Sequence, residues 1–207
     1  MERIIPHVTN ETARLRAVVL GLPDSLGPIP TLQETYDAKS YEAVSRGIFP
    51  SEADVRHEMQ CVLDVLDRYG VRTLRPAPLT DYNQVFARDV AFTIDDTLFI
   101  SNLIPDRERE TEAFASSIFP LIDPAHIESL PEAVHTEGGD VLLYDDILFV
   151  GAYFGDDYSS FKTARTNRYA IDFFRERFPH KRVVPIELRK HDREPAKSVL
   201  HLDCAFQ

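Results

Sequence analysis

The chain has 207 residues, enough for one large domain or two small ones, and its 43% hydrophobic and 28% charged residues are typical of a soluble globular protein. A net charge of −11 argues against nucleic acid and against anionic membranes as partners, because a phosphate-binding surface needs an excess of Lys and Arg. The acidity is compatible with a small cationic substrate, and also with solubility alone.

The N-terminus lacks the apolar stretch of a secretory signal, and no later segment approaches the roughly 18 apolar residues of a membrane span. The two cysteines, Cys61 and Cys204, do not form a disulfide framework. We therefore expect a cytoplasmic protein.

In chain order, the first predicted strand is Leu15–Leu20. A loop rich in Pro and Gly follows from Pro23 to Pro30 and runs on to Pro50, and loops of this length are often lids or binding loops. Ser51 and Asp54 have the spacing of a capping box, so we expect a helix to begin there, with Cys61 as a structural residue. A second strand is predicted at Val71–Leu74.

Two later stretches resemble one another. Each reads as a strand, an Asp-Asp turn and a second strand, followed by an amphipathic helix. The hairpins are Asp89–Ser101 and Asp140–Gly151, the helices Asp106–Phe119 and Ala164–Phe178, and a strand Val183–Leu188 follows the second helix. A recurring strand–strand–helix–strand (ββαβ) unit indicates several similar modules around one core. The alternative is an ordinary α+β domain with chance similarity between two hairpins.

The modules are expected at roughly 14–76, 86–130 and 135–188, with the start of another at 198–207. The stretch Ser198–Gln207 is predicted to open a strand. Because a strand without the rest of its module exposes unpaired backbone, we expect that the chain is a partial, truncated domain with an incomplete ring of modules.

Three charged motifs occupy corresponding places in successive modules: Phe86–Asp89, Glu137–Asp140 and His201–Asp203. If the modules form a ring, these groups converge, and buried charges need a bound cation or mutual hydrogen bonds. Taken singly, Asp89 could form an ion pair with Arg88, and Glu-Gly-Gly-Asp could be a turn. A metal site is a further alternative, but no H-E-x-x-H spacing is present. We therefore predict no metal.

Phe-Ala-Arg-Asp, Glu-Gly-Gly-Asp-Val, Ala-Arg-Thr-Asn and His-Leu-Asp, in this order, resemble the guanidine-modifying (pentein) superfamily, and Tyr-Asp-Ala-Lys-Ser at 36–40 strengthens the likeness. The superfamily includes arginine deiminases, dimethylarginine dimethylaminohydrolases and amidinotransferases. The resemblance implies an α/β propeller of ββαβ modules, of which this chain supplies about three and the start of a fourth. It implies a small, arginine-like guanidino substrate and no cofactor.

The resemblance also implies roles. His201 would protonate the departing amine and then activate water, and Glu137 would orient His201 and the substrate. The implied substrate-binding residues are Asp89 and Asp203 for the guanidinium nitrogens, Arg165 for an α-carboxylate, and Asp140. Paired carboxylates match the planar fork of donors that a guanidinium presents.

A thiolate nucleophile is also implied, giving a thiouronium intermediate, but the family keeps it in the fifth module. If Cys204 lies on a strand, it faces away from His201 and Asp203, so we expect a core residue and no nucleophile in this chain. Glu-Gly-Gly-Asp favours a hydrolase that cleaves a C–N bond of an arginine-like guanidine. The alternatives are an amidinotransferase and a non-catalytic fragment.

Overall fold

Local signals in the sequence position the helices and strands of the computed structural model, which describes residues 3–155 and 160–206. The helices are α1 (Ala38–Ser45), α2 (Glu52–Arg68), α3 (Ala87–Val90), α4 (Glu108–Ser117) and α5 (Arg168–Arg177). The strands are β1 (Ala17–Val19), β2 (Arg72–Leu74), β3 (Ala91–Ile94), β4 (Thr97–Ile100), β5 (Ile127–Ser129), β6 (Val141–Tyr144), β7 (Ile147–Ala152) and β8 (Arg182–Glu187). The capping box predicted at Ser51 and Asp54 is present at the start of α2.

Two three-stranded sheets have the same construction, which agrees with the predicted repeat. In the order β3-β4-β5 and in the order β6-β7-β8, an antiparallel hairpin is extended by a parallel strand. The parallel strand returns after α4 in the first sheet and after α5 in the second. Strands β1 and β2 form a separate parallel pair connected through α1 and α2. The chain is therefore a mixed α/β protein with a recurring ββαβ unit.

The turn of each hairpin begins with an aspartate in the left-handed region. Asp95 has a φ of 55° and Asp145 a φ of 52°. Asp tolerates this conformation better than most residues because its short side chain can hydrogen-bond locally. The Asp-Asp pairs recognised in the sequence therefore mark the tight turns themselves.

The largest apolar cluster lies between the two hairpins and α5. Phe99 and Phe174 are completely buried, and their rings meet edge to face at 6.2 Å. Ile118 and Phe114 of the α4 region belong to a second cluster, as their helical spacing predicted. Burying such side chains contributes about 1.5–3 kcal/mol each, so these clusters hold the hairpins in fixed positions.

The N-terminal segment joins the tips of the two hairpins. Val8 exchanges backbone hydrogen bonds with Asp95, at 2.7 and 2.8 Å. Asn10 bridges to Tyr144 and donates its side-chain amide to Asp145. A segment far away in the sequence therefore ties the two turns together.

Some sequence-based predictions were wrong in detail. Asp89 and Asp140, predicted at the starts of strands, lie in short helical turns just before β3 and β6. The long loop at 23–50 contains α1, whose N-terminus is capped by Asp37. The region around Cys204 is a 3₁₀ turn, Leu202–Cys204, instead of a strand, and Cys204 is exposed instead of buried in a core. Gln207, also part of that predicted strand, lies outside the described residues. Within the described ranges, no helix is both long and apolar enough to cross a membrane.

Candidate active site

Each of the three charged motifs includes a short helical turn, and the three turns lie next to one another. The turns are α3, the 3₁₀ turn Gly138–Asp140 and the 3₁₀ turn Leu202–Cys204. Gly138 allows the first two to touch, since a Cβ at this position would lie 2.0 Å from the carbonyl oxygen of Arg88. Gly139 lies against the ring of His201, where a Cβ would approach to 2.8 Å. Both glycines are therefore required by close approach.

At the centre of the site, His201 lies between two carboxylates. Its Nε2 is 3.0 Å from Oε2 of Glu137, and its Nδ1 is 3.5 Å from Oδ1 of Asp89. All three residues are buried, Glu137 completely. The residues predicted to form the heart of the site therefore lie together.

An unpredicted guanidinium, that of Arg107, occupies the same carboxylates. Its Nη1 donates to Oδ2 of Asp89 at 2.7 Å and to Oε2 of Glu137 at 3.2 Å. Its Nε and Nη2 donate to the two oxygens of Glu110, and Nη2 also donates to the carbonyl of Phe86. All five donors of this arginine are used within the protein.

Arg165 approaches Glu137 from the loop before α5. Its Nη1 lies 3.0 and 2.9 Å from the two oxygens of Glu137, and its Nη2 donates to the carbonyl of Tyr36. The guanidinium lies over the ring of Tyr36, 5.6 Å from the ring centre. Arg165 is 1% exposed, so it does not lie on an exposed helix face. The Tyr-Asp-Ala-Lys-Ser segment thus reaches the site through Tyr36.

These contacts determine the protonation states. Burial opposes ionisation of Glu137, but Arg165, His201 and Arg107 hold its pKa well below the usual range. Burial would likewise lower the pKa of His201, yet Asp89, Glu137 and Asp140 raise it to about 9. At neutral pH His201 is therefore a cation that can donate a proton.

Asp140 and Asp203 lie in different surroundings. Asp140 is completely buried, where its Oδ2 accepts from the Thr166 hydroxyl and its Oδ1 from the backbone N–H of Leu202. Asp203 is partly exposed, with Nε of Arg88 at 3.9 Å. Asp203 therefore lies at the outer side of the cluster, and Asp140 behind the His201 turn. Arg88 is not the partner of Asp89, whose ion pair is with Arg107.

Neither cysteine belongs to the central cluster. Cys61 is exposed on α2, and the Sγ of Cys204 contacts Oδ1 of its neighbour Asp203 at 3.6 Å. Partial desolvation of the Cys204 thiol by its neighbours and the adjacent Asp203 carboxylate raise the pKa of Cys204, which keeps its thiol protonated at neutral pH.

Asp89, Glu137 and His201 each offer a ligand atom within 4.8 Å of the others, a spacing that a metal ion could use. The same carboxylates already accept from Arg107 and Arg165. A divalent cation would have to displace at least one of these guanidinium groups, and His201 would have to lose its proton. The arrangement fits a planar organic cation better than a metal.

The sequence reasoning missed Arg107 and Glu110. Their spacing, Arg followed three residues later by Glu near a helix start, is the only local signal, and it usually marks an exposed pair. Phe114 and Ile118 predicted the buried face of α4 but not the polar turn before it.

No known protein-family model matches the chain. An uncharacterized protein of Bacillus subtilis, YkgA, is 32% identical over 123 residues, which are 59% of this chain and 36% of that protein. The chain therefore spans about a third of the curated relative it matches.

Similar solved structures include dimethylarginine dimethylaminohydrolase from Pseudomonas aeruginosa with citrulline (TM-score 0.59, 16% identity, 86% of this chain and 63% of the other). Inosamine-phosphate amidinotransferase from Streptomyces griseus gives a TM-score of 0.59 at 15% identity, covering 91% of this chain and 64% of that one. The N-terminal domain of ArgZ, a cyanobacterial arginine dihydrolase, gives 0.62 at 13% identity, covering 83% and 58%. At these identities the likeness shows the fold, which is that of the pentein enzymes that the motifs resemble.

Proposed function

We propose that this chain carries the guanidinium-binding and proton-transfer groups of a guanidine-modifying hydrolase that acts on an arginine-like substrate. One observation carries the proposal: Asp89 and Glu137 already hold a guanidinium, that of Arg107, beside a protonated imidazole. Asp89 and Glu137 share Nη1 of this guanidinium, while Glu110 accepts from Nε and Nη2. The three carboxylates together match the planar set of donors of a guanidinium better than a round ammonium ion.

In the proposed reaction, Asp89, Glu137 and Asp203 bind the nitrogens of the substrate guanidinium. Once a thiolate has added to the central carbon, protonated His201 donates its proton to the departing amine as the C–N bond breaks and a thiouronium is left. His201 then takes a proton from the water that forms the new C–O bond, and the C–S bond breaks to release the thiolate. Arg165 would bind an α-carboxylate after exchanging its contact with Glu137. Attack on the central carbon by a thiolate is the step that neither Cys61 nor Cys204 is placed to perform.

Calorimetric titration of the chain with L-arginine and with L-lysine tests the binding step. We expect L-arginine to bind and L-lysine to bind at least about tenfold more weakly, since the bidentate contact is lost. Asp89→Asn should reduce L-arginine affinity by about tenfold or more, because a charge-assisted hydrogen bond contributes roughly 1.5–3 kcal/mol. Asp96→Asn, on an exposed hairpin turn, is the matched control. Equal binding of the two amino acids would disprove the proposal.

The amidinotransferase alternative shares this binding site, and an amidinotransferase is among the similar structures. The two reactions differ in the acceptor, which is water in one case and an amine in the other. Supplying an acceptor amine to a protein that turns over guanidines, and measuring the ureido and amidino products separately, distinguishes them. The alternative of a non-catalytic binder is supported by the position of Cys204, and it predicts L-arginine binding without turnover.

A further inference from the structure

Lys190 is a buried lysine that the proposed mechanism does not use. It follows β8 and is 8% exposed. Its ammonium donates to the carbonyl of Val199 at 3.0 Å and to the carbonyl of Leu200 at 2.6 Å. Burying an ammonium group costs several kcal/mol, and an apolar side chain of similar length would fill the space without this cost.

The two carbonyls belong to the residues that directly precede His201. The residue directly after it is held as well, because the N–H of Leu202 donates to Oδ1 of Asp140 at 2.9 Å. Charged groups from two separate elements thus hold the backbone on both sides of one histidine. The ring itself lies against Gly139, which leaves no room for it to shift in that direction.

The imidazole needs this constraint because its two nitrogens must meet different partners. Nε2 lies 3.0 Å from Glu137, whereas Nδ1 is 3.5 Å from Asp89. The segment that carries His201 is a loop, and the backbone N–H of Val199 donates to the carbonyl of Arg189 just after β8. A rotation of this loop would break both imidazole contacts.

We propose that Lys190 is a positioning residue for His201: its ammonium fixes the carbonyls of Val199 and Leu200, so that the imidazole stays between Asp89 and Glu137. Asp140 performs the corresponding function on the far side. The inference rests on the proposed function of the His201 site. A lysine that only stabilised the loop would affect unfolding without affecting the imidazole of the folded protein.

The test compares Lys190→Met with Lys181→Met in the full chain. Lys181 is a matched control, since its side chain is 4% exposed and its ammonium contacts Asp95 and the carbonyl of Asp145. The first readout is the nuclear magnetic resonance signal of the His201 Nε2–H proton bonded to Glu137, and the second is L-arginine affinity.

We expect Lys190→Met to broaden or remove the Nε2–H signal and to weaken L-arginine binding by about fivefold or more, with Lys181→Met leaving both unchanged. Lys190→Arg, which keeps a cationic donor, should restore part of each. An unchanged imidazole signal in a folded Lys190→Met protein would overturn the proposal.

If Lys190→Met does not fold, a measurement on the unsubstituted chain still tests the proposal. Scalar couplings across the hydrogen bonds between Nζ of Lys190 and the carbonyl carbons of Val199 and Leu200 should be observable, and their absence in a protein with an ordered ammonium signal contradicts the proposal. A chain that keeps these couplings and the Nε2–H signal but binds no L-arginine would reject the proposed function and leave the positioning of His201 intact.

Discussion

Arg107 balances the charges at the centre of the site. Asp89, Glu110 and Glu137 contribute three negative charges, and Arg107, Arg165 and protonated His201 contribute three positive ones. A neutral set of this kind survives burial, whereas removal of one member leaves an uncompensated charge. A substrate guanidinium therefore keeps the set neutral only if Arg107 is displaced or His201 loses its proton.

Replacing Arg107 with Ala should destabilise the chain by about 3–5 kcal/mol, as expected when one partner of a buried ion pair is lost. The space left by Arg107 has the shape of a guanidinium and is lined by the oxygens that accepted its hydrogen bonds. Methylguanidinium should therefore restore part of the lost melting temperature, and methylammonium should not. Thermal unfolding with each additive measures this. Arg56→Ala, an arginine whose side chain is 57% exposed, should change stability little and should not respond to either compound. Equal rescue by the two cations would show that only charge matters.

The chain should become less stable at alkaline pH, because His201 loses its stabilising proton there. The pKa of His201 in the folded state is about 9, raised from the ordinary histidine value of about 6.5, so the folded state binds this proton more tightly than the unfolded state. The stabilisation is complete below about pH 6.5 and is lost as pH rises through about 9, with an upper limit of roughly 3 kcal/mol.

Urea unfolding between pH 6 and 10 tests this dependence. The charged groups that interact with the imidazole are Asp89, Glu137, Asp140 and Asp203. His201→Gln should remove the alkaline decline, and His180→Gln, an exposed histidine, should keep it. A decline of the same size in His201→Gln would assign it to another group.

At the scale of elements, hydrophobic periodicity and the residues typical of turns predicted most of the helices, strands and hairpin turns. The capping box at Ser51 and the Asp-Asp turns were recognisable because each depends on a few neighbouring residues. The 3₁₀ turn at Leu202–Cys204 was not, because its geometry depends on a bond between the Leu202 N–H and Asp140, far away in sequence. Arg107 escaped notice for the same reason: its partners, Asp89 and Glu137, lie 18 and 30 residues away in the sequence.

Gly138→Ala tests whether the contact between α3 and the 3₁₀ turn Gly138–Asp140 requires a residue without a Cβ at position 138. A Cβ would lie 2.0 Å from a backbone oxygen of Arg88, so the two turns must separate, at a cost of about 2 kcal/mol or more. L-arginine binding should be lost as well. Gly47→Ala is the control: its φ of +65° imposes a conformational cost of about 1 kcal/mol, but nothing lies within 4 Å of the new Cβ. Calorimetry on both variants would reveal whether the site responds only to the first.

At the scale of the whole molecule, we expect the 207-residue chain to produce no ureido product from L-arginine, methylated arginines or agmatine. The thiol of Cys204 contacts Asp203, and its raised pKa leaves little thiolate. Without covalent attack, water must add directly to a resonance-stabilised cation. The assay compares the chain with Cys204→Ser and Cys61→Ser. Turnover that Cys204→Ser abolishes, and Cys61→Ser does not, would identify Cys204 as a nucleophile and contradict this expectation.

The N-terminal segment that joins the two hairpin tips has a consequence for the order in which the protein folds. Asn10 is synthesised 135 residues before its partner Asp145. Val8 can pair with Asp95 earlier, so this end of the chain joins the structure in two stages. Contacts of such high sequence separation carry a large loop-closure entropy and slow folding. The segment around Val8 and Asn10 is therefore among the last parts to become fixed, and synthesis must proceed past the second hairpin before this segment can join the two sheets.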